Sequence, residues 1–277
     1  MLGAMFCFST MGLFIKLSSV QLHPLVTVFF RNFIALVILL PWIYRQGPGL
    51  FKTSRKRLYT ARAAFNVVGM AAGFTAITLI PLAEATALSF TAPLFATLGA
   101  FLILGEIVRK RRIIALFFGF IGMLIILRPG IEAISFGALL AIANAITIAI
   151  TIIIVKKLTT TETPATIVAY MALLQTPMAL IPALFYWQWP NWNTCIWLIC
   201  LAGAGTAGHL FYTKAIQLAD VSQLQTIDFV RLPIIALLGF LFFSETPTVW
   251  IWIGGLVIFS STAYVTHREA MLAKREN

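Results

Sequence analysis

The sequence predicts an all-α integral membrane protein of ten transmembrane helices, arranged as two inverted five-helix repeats. Three observations predict it. Hydrophobic residues make up 60% of the chain and charged ones only 10%, outside the range of an ordinary soluble domain. At about 20 apolar residues per spanning helix, 277 residues hold ten such helices, short loops and little else. Finally, residues 79–130, LIPLAEATALSFTAPLFATLGAFLILGEIVRKRRIIALFFGFIGMLIILRPG, have a counterpart over 219–265, ADVSQLQTIDFVRLPIIALLGFLFFSETPTVWIWIGGLVIFSSTAYV. Each has a polar entrance, a mid-run proline (Pro93, Pro233), an apolar stretch ending on a glutamate (Glu106, Glu245), and a second apolar run. The glutamates lie 139 residues apart, half the chain. Runs such as IIALFFGFIGMLIIL lack the alternation of a barrel strand, so helices are the spanning elements.

The expected spans are 2–20, 24–44, 60–80, 82–104, 112–128, 135–155, 165–187, 194–214, 219–243 and 248–266. The first has no basic leader and no small-residue cleavage site, so it reads as a retained helix rather than a signal peptide. Between the second and third, Arg45 to Ala61 forms the longest connection, a polar and basic loop. The third carries Gly69 and Gly73, small residues that let helices approach closely. Spans 165–187 and 219–243 hold Thr, Gln or charge, as helices lining an interior do. Within 194–214, Gly203, Gly205 and Gly208 spell GxGxxG. The dinucleotide fingerprint needs a preceding strand, so helix packing is the reading. Trp42, Tyr44, Trp187, Trp189 and Trp192 fall near span ends, where aromatic residues anchor at the interface. Cys7, Cys195 and Cys200 lie in apolar runs and read as small hydrophobes.

Internal matches support the repeat. Lys16 pairs with Lys156 at an offset of 140, as His23-Pro24 does with Thr163-Pro164; Gly69 and Ala76 match Gly208 and Ala215 at 139. The two repeats are expected over 1–134 and 135–277, the second with a short basic tail. Five helices are an odd number, so the second copy enters from the opposite face. Secondary transporters share that arrangement, with the site near midplane between the halves.

Orientation follows from the basic residues. With the N-terminus inside, inner connections collect Arg45, Lys52, Arg55, Lys56, Arg57, Arg62, Arg109, Lys110, Arg111, Arg112, Lys156, Lys157, Lys214, Arg268, Lys274 and Arg275. The outer side receives Lys16 and Arg128, and Arg31 and Arg231 stay within spans. The net charge of +11 is thereby topological, and nucleic acid is not an expected partner.

The stretch PLAEATALSFTAPLFATLGAFLILGE followed by RRIIALFFGFIGMLIILRPG resembles the fourth and fifth helices of the drug/metabolite transporter superfamily, EamA type. FFRNFIALVILLPW and RLPIIALLGFLFFSE fit the same pattern. The resemblance covers essentially the whole chain. It implies ten helices, both termini in the cytoplasm, and a central cavity alternately open to each side. It also implies kinship with bacterial carriers of metabolites such as riboflavin, S-adenosylmethionine, opine metallophores or amino acids. The motifs mark scaffold and not cargo. One departure is that Met171 stands where an arginine matching Arg31 would fall.

Several polar residues are candidates for substrate binding. Arg31 lies eight residues into the second span, where a charge costs about 2.5–3.5 kcal/mol. It is either a cavity cation for an anionic group or a clamp on helix-end carbonyls or Glu84. Asp228 and Arg231 are three apart and share a face, and Pro233 frees a backbone carbonyl nearby. Together they either hold a zwitterion, with Asp228 on the ammonium and Arg231 on the carboxylate, or neutralise each other and order the helix. Glu84, at the outer end of the fourth span, is either a group that titrates during transport or an exposed interfacial carboxylate. His209 and Tyr212 offer a proton relay or an aromatic platform against plain packing. Asn66, Asn144, Gln175 and Gln225 are further cavity candidates. Pro93 and Pro233 are expected helix bends.

The expected function is secondary active transport, by alternating access, of a small polar or amphipathic metabolite (amino acid, riboflavin, S-adenosylmethionine or opine-like) across the bacterial inner membrane. No Walker A sequence is present. The alternatives are an intramembrane enzyme and a non-transporting membrane assembly protein. Aspartate clusters and an HExxH pair are both missing, so neither diphosphate nor zinc-protease chemistry is supplied. No cofactor or metal is expected. The partners are the metabolite and the bilayer. Coupling to protons or a counter-substrate, and a monomeric or homodimeric state, stay open.

Overall fold

The structure is a computed structural model that describes residues 1–47, 53–92, 94–96, 98, 110–128, 134–218, 227–228 and 230–276. Pro93, Glu106 and Gln225 lie outside the described residues. Among those described there are ten helices: α1 (Leu2–Ser18), α2 (Pro24–Gln46), α3 (Lys56–Leu79), α4 (Leu82–Ser89), α5 (Lys110–Leu127), α6 (Phe136–Leu158), α7 (Pro164–Leu184), α8 (Trp192–Leu218), α9 (Arg231–Phe243) and α10 (Val249–Glu276). Helices α2, α3, α6, α7 and α8 are each long and apolar enough to cross a membrane.

Local chemistry sets the helix ends. His23-Pro24 and Thr163-Pro164, matched in sequence, do the same work: the polar side chain accepts from the first turn and the proline opens the helix. His23 Nδ1 accepts from Leu25 N at 3.3 Å, and Thr163 Oγ1 from Thr166 N at 3.2 Å. Proline there loses no donor, because the first-turn N–H groups have no helical partner. Ser244 ends α9 in the left-handed region (φ 55°), so that Glu245 N returns to the Gly239 carbonyl at 3.2 Å.

Packing carries the repeat into three dimensions. The closest partners include α3 with α6 and α1 with α8, α4 with α6 and α1 with α9, α2 with α8 and α3 with α7. Each couplet maps onto the other when five is added to or taken from the helix number. Helices α2 with α7, α4 with α9, and α5 with α10 pack each on its own counterpart. Large apolar side chains such as Phe117, Phe118, Ile181 and Leu241 stand outward on the surface, as a lipid solvent requires.

Three details differ from expectation. α2 runs through Gln46 and α3 begins at Lys56, so the 45–61 connection is much shorter than a loop over that range. A helix that emerges from the hydrocarbon keeps winding, since its backbone groups stay satisfied and its lysines and arginines reach water. Arg62 does not belong to an inner connection: it is part of α3 and 4% exposed. Pro233 sits in the first turn of α9.

Candidate functional site

A cavity of ≈ 230 Å³ opens between α1, α3, α4, α6, α8, α9 and α10. Both repeats contribute to its wall. Aromatic and apolar side chains (Phe8, Met11, Phe74, Phe90 and Phe259) line it together with polar ones: Arg62, Asn66, Thr86, Ser89, Asn144, Thr151, His209, Tyr212, Asp228 and Arg231.

The acid–base pair is built as its spacing predicts. Arg231 Nη1 lies 3.9 Å from Asp228 Oδ1. Arg231 is also tied to the other half: Nη2 donates to Ser89 Oγ at 2.8 Å, and the guanidinium lies 5.5 Å from the Phe90 ring centre. The loose ion pair leaves the Asp228 carboxylate with spare acceptor capacity. Pairing a helix of one repeat with a helix of the other makes this cluster sensitive to any motion between them.

On α8, His209 and Tyr212 both meet the edge of Phe8, with ring centres 5.2 and 6.0 Å apart. Asn66 faces the cavity from α3, and Asn144 faces it from α6. Asn144 rests where α3 has no side chains: a Cβ on Gly73 would stand 2.7 Å from Asn144 Nδ2, and one on Gly69 3.2 Å from its Oδ1. The GMAAG glycines therefore place a polar group as well as bringing helices together.

Arg31 is fully buried but outside the cavity wall. Nη1 donates to Asn32 Oδ1 at 2.9 Å, while Nε and Nη2 have no hydrogen-bond partner among the described residues. Its guanidinium fills the place of a Gly205 side chain, 2.8 Å from where that Cβ would be. The second glycine of GxGxxG thus makes room for a buried cation. Glu84 lies in the first turn of α4, off the cavity wall, where the helix dipole favours a carboxylate. Gln175 is buried on α7 and likewise lies outside the wall.

Sequence reasoning missed Arg62, Ser89 and the contact beyond the cavity's Ile15 end. There Lys16, closing α1, forms an ion pair with Glu245, whose other oxygen accepts from Leu82 N at 2.9 Å. The matched offsets of Lys16 and Glu245 with Lys156 and Glu106 were the available signal.

The comparisons with known proteins fit this geometry. The model of the EamA-like transporter family matches residues 1–128 and again 135–266. The chain belongs to that family. As an EamA-like transporter it is a multi-pass membrane protein, and its task is transport rather than catalysis. It is 35% identical over 283 residues to a riboflavin transporter of Vibrio cholerae, covering 100% of this chain and 94% of the relative. It is 34% identical to a riboflavin transporter of Brucella anthropi, over 88% of each chain. An S-adenosylmethionine uptake transporter of Rickettsia felis is 29% identical over 95% of this chain and 90% of its own. A solved crystal structure superposes with a TM-score of 0.65 at 16% identity, over 99% of this chain and 98% of that one; that likeness concerns the fold alone.

Proposed function

We propose that this EamA-like transporter is a secondary carrier of a small heteroaromatic metabolite, with riboflavin as the leading cargo, across the bacterial inner membrane. The observation that carries the reading is the cavity itself. It is shared by both repeats and lined by aromatic rings that can stack on a planar ring, interleaved with Asn, Ser, Thr, Tyr and Arg donors and acceptors for polar edges. Ligand sites of this kind pair apolar lining with a few placed polar groups. The likeness to two riboflavin transporters, over 100% and 88% of this chain, supports the same cargo.

Residues 1–134 and 135–277 act as the two moving halves, rocking about the cavity, with both termini on the cytoplasmic side. Arg231, Asp228, Asn66, His209 and Tyr212 contact the cargo. Arg31 acts from behind the wall, and Glu84 acts at the membrane interface. Gln225 and Pro93 keep their proposed roles in binding and bending, and Pro233, in the first turn of α9, opens that helix rather than bending it. The test is uptake of labelled riboflavin by purified protein in liposomes. Arg231→Ala and Asp228→Ala are expected to abolish uptake while the protein stays folded and inserted. Normal uptake by either variant overturns the assignment of that residue.

A further inference from the structure

Among the described residues, the charges around the cavity do not balance. Arg62 lines it from α3 with 4% exposure; Nη1 reaches the Ile167 carbonyl at 3.3 Å, and the buried Nε has no hydrogen-bond partner among the described residues. Asn66 follows one turn on and shares its face. Arg31, with two unpartnered nitrogens, stands one side chain behind the wall: Met11, which lines the cavity, brings its sulfur to the same Gly205 slot that Arg31 fills. Among the described residues Asp228 is the one carboxylate on the wall, and it faces Arg231. Arg31 and Arg62 are left with no ion-pair partner among the described residues.

Buried cations are costly unless something of opposite polarity meets them. A guanidinium presents a flat fork of donors suited to oxygen acceptors in one plane. We propose that Arg62, backed by Arg31, forms a subsite for an electron-rich carbonyl edge, such as the two carbonyls flanking the ring N–H of a flavin, and bars cationic solutes from the cavity. Asn66 supplies the acceptor for that N–H. The inference rests on the reading of the chain as a carrier of heteroaromatic cargo and adds the sign of charge it selects.

Riboflavin binding to the full-length protein, with competition by S-adenosylmethionine and S-adenosylhomocysteine, tests it. Those two compounds differ by one methyl group and the positive charge on sulfur. The protein is expected to prefer S-adenosylhomocysteine. Arg62→Met is expected to weaken riboflavin binding roughly 10- to 100-fold, the range of a hydrogen bond to a charged group, and to bring the two competitors level. Arg62→Lys keeps the charge without the fork, so it keeps the preference while losing riboflavin affinity. A simple loss of structure would lower all three ligands together and leave the preference unchanged, and that result overturns the subsite. So does riboflavin binding by Arg62→Met at full strength, with the cargo reading left standing. A protein that does not bind riboflavin but still prefers S-adenosylhomocysteine over S-adenosylmethionine overturns the cargo and keeps the charge filter.

Discussion

Single residues in this bundle are constrained chiefly by how near another helix comes. Gly254 on α10 and Gly122 on α5 meet backbone to backbone: a Cβ on Gly254 would stand 2.5 Å from the Gly122 carbonyl oxygen. A carbonyl of a packed helix cannot rotate away as a side-chain tip can. Gly254→Ala is therefore expected to cost about 1–3 kcal/mol, the range for overpacking, seen as a lower midpoint of thermal unfolding in detergent. Gly203 is the control, since a Cβ there meets nothing within 4 Å. Gly203→Ala should leave the midpoint unchanged or raise it. A GxGxxG whose first glycine is replaceable and whose second holds a cation is a packing device. The sequence supports packing over dinucleotide binding through its membrane context, but it does not reveal that Gly205 accommodates Arg31. That pairing joins residues 174 positions apart, and no spacing rule reaches across such a gap.

At the scale of elements, the helix ends are the most readable feature. A polar residue before proline, occurring twice at an offset of 140, marks the starts of α2 and α7. Charged residues near helix ends are the least readable, since Arg62 looks like its neighbours Arg55 and Arg57 until the turn of α3 that aims it inward is known. The start of α2 also carries a pH dependence. His23 stacks on Tyr186 with ring centres 3.9 Å apart, accepts a bond at Nδ1, and is held below the ordinary histidine range by burial. A folded-state pKa below the unfolded one means that the neutral form is favoured by folding. Its contribution is complete above about pH 6.5, the unfolded value, and is lost as pH falls through the lower folded value. Melting midpoints are expected to drop on acidification below that point, and His23→Gln should flatten the drop. A variant with the same acid slope would place the sensitivity elsewhere.

The whole molecule is a pair of five-helix halves whose contacts interchange when the repeats are exchanged. The duplicated Pro and Glu landmarks make that architecture legible in the amino-acid order alone. The cavity is legible there only in part: Asp228, Arg231, Asn66, Asn144, His209 and Tyr212 stand out as polar residues in apolar runs, whereas Ser89 and Thr86 look like ordinary small helix residues. The remaining question at this scale is what holds the halves together at one end. Lys16 in the first half bonds to Glu245 in the second, and Glu245 also caps α4 through Leu82 N. Three helices are thus fastened by one carboxylate at the Ile15 end of the cavity. If the halves rock about the cavity as proposed, this fastening belongs to one of the two states and must break in the other. Lys16→Met then removes about 1.5–3 kcal/mol, the range of a charge-assisted bond, and shifts the balance toward the state open at that end by roughly 10- to 100-fold. Ile235 lines the cavity and is 3% exposed, so it reports the opening. In a chain with Cys7, Cys195 and Cys200 replaced by alanine, Ile235→Cys is expected to react slowly with a membrane-impermeant maleimide while Lys16 and Glu245 are paired. Adding Lys16→Met should speed the labelling by the same factor. Equal rates would mean that the pair merely finishes the ends of α1 and α9, and that closure at this end is carried by the apolar packing of Ile15 and Ile235.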